Sequence, residues 1–337
     1  MTKPRVLVVD DSAFARTVLS RLLRERGHID VVGTARDGTD ALDKITKLDP
    51  DVVTLDLTMP MTDGIEVLRA LEGRVRPRVI VVSMSSIDTE LGAEALLLGA
   101  IDLITKPTSL ASDRLNEIGD ELVAKVTAAA EGYQSATAAS VPAAVAHPTS
   151  EIDLVMIGTS TGGPQALTRL MSALPGTLRA PIAMVLHIPV GYTEALAARL
   201  DKLSALHVVE ASEGLVLVPG MAVLARAGEH LAIHREGGAL IARLRTRPNG
   251  VFMPSVDELF KSGAEAVGAH GLGVVLTGMG DDGLIGSRMI ASAGGSLITE
   301  AASSCVVYGM PRVVYEANLG ALSFPLDRLA AEIARRG

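Results

Sequence analysis

Carboxylates collect at the ends of short apolar runs near the start of this sequence: Asp10 and Asp11 follow Val6-Leu7-Val8-Val9, and Asp56 follows Val52-Val53-Thr54-Leu55. Three such groups share a dry crevice only if a cation or a proton offsets their repulsion, so the pattern implies a divalent metal beside a reactive carboxylate. Lys106, in the pair Lys106-Pro107 that closes an apolar run at 101–104, adds an ammonium placed to meet an incoming phosphoryl oxygen. A second chemistry is set out further along. Ser160 lies in Gly158-Thr159-Ser160-Thr161-Gly162-Gly163-Pro164, directly after the apolar run 152–157. A serine on such a Gly-flanked strand-to-helix turn has an exposed hydroxyl with free helix N–H groups behind it, which suits either a nucleophile elbow or a phosphate cradle. His187 follows Ala183-Met184-Val185-Leu186, and Asp281-Asp282 follow the run 272–276 by way of Thr277-Gly278-Met279-Gly280. In a parallel sheet, three strand ends share one edge, so Ser160, His187 and Asp282 can converge as nucleophile, base and orienting acid. From the residues alone, Asp282 is equally readable as the N-cap of a helix at 284–293, and Asp281 could serve in its place.

The elements that must position these groups follow from hydrophobic periodicity. In the first ~110 residues, apolar runs at 6–9, 31–33, 52–55, 79–82 and 101–104 alternate with helical stretches near 12–26, 38–47, 64–72, 89–98 and 110–129. Continuous Val/Ile/Leu runs separated by amphipathic helices predict a parallel sheet covered on both faces, with ligands at the carboxyl ends of its strands. After Ala128-Ala129-Ala130 the sequence turns small and Pro-punctuated with almost no charge, from Gln134 to Ser150. That composition buries too little apolar surface to order itself and reads as a linker. The expected division is a first domain at 1–128, a linker at 129–150, and a second, doubly wound and mostly parallel α/β domain at 151–337.

The first segment, over residues 4–108, resembles a response-regulator receiver domain of flavodoxin-like (βα)5 fold. In that resemblance Asp56, within Asp56-Leu57-Thr58-Met59-Pro60-Met61-Thr62-Asp63-Gly64, is the phosphoaccepting aspartate. Asp10 and Asp11 match the acid pair that holds Mg²⁺ together with Asp56, Ser83 the switch hydroxyl, and Lys106 the family lysine. Leu103 stands where the family usually has an aromatic residue, which puts its usual hydroxyl-to-aromatic coupling in question. The second segment resembles the catalytic domain of the chemotaxis protein-glutamate methylesterases. The motifs are Gly158 to Gly163, His187 with Pro189 and Tyr192-Thr193, Pro254-Ser255-Val256-Asp257, Leu276 to Gly283, and Val306-Val307-Tyr308-Gly309-Met310-Pro311. By resemblance Ser160 is the nucleophile, His187 the base and Asp282 the orienting acid, with Thr161 and Met279 lining the site and offering backbone N–H groups to an oxyanion. It further implies hydrolysis of glutamate methyl esters on methyl-accepting chemotaxis receptors, glutamine deamidation at the same site, a histidine kinase as phosphodonor, and a resting receiver that covers the esterase cleft. Leu186 replaces the usual Gln, Phe252 the usual His, and Ala301-Ala302 an acidic pair. Apolar residues at those places set up a rival from another class, a phospho-switched binding module with weakened or lost hydrolysis. A dinucleotide-binding oxidoreductase is disfavoured, because the turn at 158–163 is not G-x-G-x-x-G.

Composition narrows the remaining classes. At 337 residues with 48% hydrophobic content, four Phe, four Tyr and no Trp, the cores are built from aliphatic side chains and Met. A net charge of −8 leaves no electrostatic footprint for nucleic acid. The single cysteine, Cys305, excludes an internal disulfide framework and is expected to be buried and inert. No apolar run reaches the ~18 residues that span a bilayer, and no signal peptide precedes the first strand. These features lead to the expectation of a cytoplasmic protein without membrane insertion. His230, His234 and His270 lack metal-ligand spacing and are expected to be structural or surface residues.

Overall fold

A computed structural model describes residues 3–27, 29–74, 76–84, 89–106, 118–135, 151–246 and 252–337. The chain forms two compact units, Met1–Gln134 and Ser135–Gly337.

In the first unit, β1 (Arg5–Val9), β2 (Asp30–Ala35), β3 (Val52–Leu55), β4 (Arg78–Met84) and β5 (Ala100–Lys106) form one sheet in the order β2-β1-β3-β4-β5. Every strand pair is parallel. Its helices are α1 (Ala13–Gly27), α2 (Gly38–Leu48), α3 (Gly64–Leu71), α4 (Thr89–Leu97) and α5 (Gly119–Ser135). The apolar strand residues are buried, which is why they read as unbroken runs rather than alternations. The strand order reverses direction between β1 and β3, so the residues just past both strands, Asp10 and Asp56, border one crevice. A capping box fixes the far wall: Asp63 Oδ1 accepts from Glu66 N at 2.9 Å, and Glu66 Oε2 accepts from Asp63 N at 3.0 Å. α5 runs to Ser135, past the expected linker start at 129, because Ala128-Ala129-Ala130 are strong helix formers that extend the element. The expected helix start at 110 and the linker from 136 to 150 lie outside the described residues.

The second unit is built on a seven-stranded parallel sheet. Its strands are β6 (Leu154–Thr159), β7 (Ile182–Leu186), β8 (His207–Glu210), β10 (Met221–Leu224), β13 (Gly271–Val275), β14 (Ser296–Glu300) and β15 (Leu322–Phe324), in the order β15-β14-β13-β6-β7-β10-β8. The helices are α6 (Gly163–Ala173), α7 (Thr193–Leu203), α8 (Val256–Val267), α9 (Leu284–Ser292), α10 (Met310–Glu316) and α11 (Leu326–Ala334). From β6 the chain builds outward through β7 in one direction and later returns to build through β13 in the other. The switch point of the doubly wound sheet is therefore at β6, the strand that leads into Ser160. A small antiparallel sheet of β9 (Val216–Leu217), β11 (His230–Glu236) and β12 (Ala239–Arg245) lies outside the expected architecture. Its sequence signal is the Gly237-Gly238 pair between two alternating segments, with φ of 57° and 88° there, as a tight hairpin requires. Among the described residues, no helix is long and apolar enough to cross a membrane.

Candidate functional site

The first unit brings its predicted residues together at the ends of β1, β3 and β5. Asp10, Asp11 and Asp56 place oxygens within 4.8 Å of one another, and no other such group of potential metal ligands occurs among the described residues. Lys106 Nζ lies 2.7 Å from Asp10 Oδ2 and 2.6 Å from Asp56 Oδ2. Burial raises the Asp56 carboxyl above its ordinary range; Lys106 pulls it back down and Asp10 pushes it up again. Burial alone would lower the Lys106 ammonium, but Asp56 and Asp10 hold it above its ordinary value, so the lysine is charged. Two buried carboxylates and an exposed third, all hard oxygen donors, suit Mg²⁺. Ser83 is buried in β4, and Leu103 is buried in β5.

In the second unit, sheet register does the positioning. β6 pairs with β7 at Thr159↔Leu186, so the next residues, Ser160 and His187, leave adjacent strands side by side. His187 N donates to Thr159 O at 3.1 Å, which fixes that relation. On the other side, β6 pairs with β13 at Gly158↔Val275, and Ser160 N donates to Thr277 O at 3.1 Å. Gly278 is required here: a Cβ on it would stand 2.9 Å from Ser160 Cβ and 2.4 Å from Met310 Sδ. Gly162 starts α6 with φ of 82°, a left-handed conformation that turns the chain sharply after Thr161.

His187 Nε2 lies 2.8 Å from Asp282 Oδ2. Its Nδ1 is buried and has no hydrogen-bond partner among the described residues. With the Nε2 proton committed to the carboxylate, Nδ1 carries the lone pair. Asp282 also accepts from Ser255 Oγ at 2.9 Å, Val256 N at 2.7 Å and Asp257 N at 3.0 Å. Burial works to raise the Asp282 carboxyl, but the His187 contact and the backbone N–H groups outweigh it and hold the group below its ordinary value. The alternative cap role for Asp282 falls to a neighbour: α9 begins at Gly283 without a side-chain cap, and Asp257 Oδ1 accepts from Gly283 N and Gly286 N at 3.0 and 2.7 Å. Asp282, just ahead of α9, instead serves the first turn of α8, and Asp257, within that first turn, serves the start of α9. Asp281 is exposed and does not take part.

Further residues surround this site, and the contacts they make are not legible in the sequence. Phe252 stacks on the His187 ring, with centroids 4.5 Å apart and planes at 4°. His230 is buried, and its Nδ1 accepts from Ser255 N at 3.2 Å. The spacing Ser255-x-x-Glu258 is a helix-start signal that could have pointed to Ser255. Leu186 is buried under the turn, where a Cβ on Gly163 would meet its Cδ1 at 2.6 Å, and Ala301 is buried too. Two of the three apolar replacements thus belong to the core rather than to the cleft, which removes much of the motive for a binding module that has lost its chemistry. Thr161 is buried, Met279 half-buried, and Cys305 buried with its thiol pushed up by burial. His234 Nε2 lies 2.8 Å from Arg245, and His270 Nδ1 2.7 Å from Glu151 O, both structural contacts.

Fold and site together define a receiver unit joined in one chain to an α/β unit of hydrolase type. The family described as response regulator receiver domain matches residues 6–118, and that described as CheB methylesterase matches residues 155–333. A protein-glutamate methylesterase/protein-glutamine glutaminase of Myxococcus xanthus is 54% identical, over 98% of this chain and 97% of its own length. One from Geobacillus kaustophilus is 42% identical over 98% of each chain. The crystal structure of the Thermotoga maritima CheB methylesterase catalytic domain matches at 34% identity with a TM-score of 0.54, covering 55% of this chain and 99% of that one. The chain belongs to the CheB methylesterase family.

Proposed function

We propose that this protein hydrolyses the methyl esters of glutamate side chains on methyl-accepting chemotaxis receptors, and deamidates glutamines at the same site. The carrying observation is the His187–Asp282 hydrogen bond, which leaves His187 Nδ1 without a partner among the described residues, on the strand end next to the one that leads into Ser160. Ser160 Oγ attacks the ester carbonyl as His187 Nδ1 takes its proton, and Asp282 stabilises the imidazolium that forms. Backbone N–H groups of Thr161 and Met279 receive the oxyanion, a contribution of about 3–4 kcal/mol per donor. The tetrahedral intermediate collapses, methanol leaves with the proton from His187, and water resolves the acyl-serine by the same steps in reverse. An amide passes through the same tetrahedral geometry, with ammonia leaving in place of methanol.

Asp56 is the phosphoacceptor, served by a histidine kinase. Asp10, Asp11 and Asp56 would hold Mg²⁺, which supplies charge compensation for the incoming phosphoryl group. Lys106 neutralises part of the same charge, and Ser83 responds to it from β4. Phosphorylation raises the esterase rate by releasing a restraint that the unphosphorylated receiver imposes. We assign residues 1–135 to the receiver and 151–337 to the catalytic domain, with the reaction taking place in the cytoplasm. The test is methanol release from a methylated receptor, with and without a small phosphodonor and Mg²⁺. Release that depends on the enzyme and rises with the phosphodonor is expected; release at the uncatalysed rate would overturn the assignment.

A further inference from the structure

β14 ends in a buried acid that the chemistry above does not use. Glu300 is fully buried, at the same sheet edge as Ser160, His187 and Asp282. Among the described residues no cation is in hydrogen-bond contact with it, and Arg169 lowers its carboxyl only from a distance. Its Oε2 accepts from Thr277 N at 2.8 Å and its Oε1 from Ser304 Oγ at 2.9 Å. Burial pushes its carboxyl above the ordinary range, so this strand end carries an electrostatic cost that a neutral residue would avoid.

The residue it grips is a junction. Thr277 O accepts from both Ser160 N at 3.1 Å and Thr159 Oγ1 at 2.7 Å. Its own hydroxyl has one proton, directed to Thr161 O at 2.9 Å, and accepts in turn from Val307 N at 2.9 Å. Chain continuity carries it onward to Gly278, whose N donates to Val307 O at 3.0 Å and whose O accepts from Met310 N at 2.9 Å, and then to Met279. Thr277 is itself buried. Every polar group of this residue is therefore bonded to the serine turn, to the loop at 306–310 or to Glu300. Thr161 and Met279 approach the cleft from two separate segments, and Thr277 ties one to the other.

We propose that Thr277, anchored by Glu300, is the positioning residue that sets the spacing between the nucleophile turn, which carries the Thr161 donor, and the Met279 donor on its own segment; this rests on the esterase reading of the same site. Preorganised donors are worth most when they need not move as charge develops, and a shift of about 1 Å costs up to about 100-fold in rate. Glu300 acts through the Thr277 N–H and not on substrate, so a neutral side chain with the same acceptor can replace it.

Four variants of the full-length chain test this: Thr277→Val, Thr277→Ser, Glu300→Gln and Glu300→Leu. Each is measured for kcat and KM in methanol release and for the rate at which Ser160 reacts with a fluorophosphonate, a probe that needs the serine, its base and the oxyanion donors but no receptor. Thr277→Val and Glu300→Leu are expected to lose about 10- to 100-fold in kcat and in probe reaction, with KM little changed. Thr277→Ser and Glu300→Gln, which keep the hydroxyl and the acceptor, are expected to stay within about threefold of wild type. Wild-type rates for Thr277→Val, or equal losses for the conservative and the disruptive member of each pair, would overturn the proposal. If Thr277→Val fails to fold, the Glu300 pair decides by the same criterion. Probe reaction that follows this pattern without methanol release from any methylated receptor would leave the positioning role standing and refute the substrate assignment.

Discussion

Replacing Asp282 by Asn separates its two jobs. Oδ2 faces His187 Nε2 and Val256 N, while Oδ1 faces Ser255 Oγ and Asp257 N, so the side chain meets four donors and no acceptor. An amide in the same place must aim its NH₂ at one pair. The better choice points the NH₂ at Ser255, whose hydroxyl can rotate to accept; the Asp257 N–H then loses its partner. One unsatisfied buried N–H costs about 1–3 kcal/mol, and each remaining bond weakens by about 1 kcal/mol as it changes from charge-assisted to neutral. Relief of carboxylate burial returns part of this, so Asp282→Asn is expected to destabilise the catalytic unit by about 2–4 kcal/mol at neutral pH. The oxygen still faces His187, so the tautomer survives, but imidazolium stabilisation is lost and methanol release falls, by less than the about 10⁴-fold that a wrong tautomer costs.

The pH dependence supplies a second check on the same variant. The folded Asp282 carboxyl lies below its ordinary value of 3.8, so its stabilising contribution is complete above that value and drains away as the pH falls through the folded pKa. The gap between wild type and Asp282→Asn therefore narrows as the pH falls below about 4. Urea unfolding followed at the transition that carries Asp282, at several pH values, measures it. Equal stability at pH 7, or a gap that stays constant into acid, would refute the account of Asp282 as a helix partner.

Ser160→Ala is expected to fold with wild-type stability to within about 0.5 kcal/mol, because the serine's fixed contacts are backbone ones, and to lose methanol release by about 10⁶-fold; retention of a tenth of the activity would exclude it as nucleophile. Asp56→Asn is expected to lose both Mg²⁺-dependent labelling by a small phosphodonor and the accompanying rise in esterase rate; equal labelling of the two proteins would place the acceptor elsewhere. Lys125→Ala removes the ammonium now 2.8 Å from buried Asp102 and is expected to destabilise the receiver by at least about 1 kcal/mol in thermal or urea unfolding, whereas unchanged stability would refute the pair as a stabilising contact.

The strand ends are the most legible part of this molecule. Parallel strands buried on both faces read as unbroken apolar runs, so a polar residue directly after such a run stands at the sheet edge, as Asp10, Asp56 and His187 do, while Ser160 is marked by its Gly-flanked turn. Asp282 is harder, because it lies seven residues past β13 and its choice over Asp281 depends on the start of α8, roughly 25 positions earlier in the chain. Phe252 lies outside any strand or helix and His230 opens β11, and no local period shows that the one reaches His187 and the other Ser255. Glu300 sits inside a strand-end pattern but reads as one more solvated acid, and its burial follows only from what packs over β14. The β11–β12 hairpin had its signal in Gly237-Gly238; the expectation of a parallel sheet obscured it.

The exchange of carboxylates between α8 and α9 bears on how this site can decay over descent. In many enzymes the catalytic groups are a thermodynamic liability, and losing them makes the protein sturdier. Here the acid at 282 is as much a part of the helix pair as any apolar contact between them, since it satisfies the first N–H groups of α8 while Asp257 does the same for α9. Mutational drift therefore meets unequal resistance across the three groups. A lineage that gave up hydrolysis and kept the fold would shed Ser160 or His187 first and retain the aspartate long after it had ceased to orient anything.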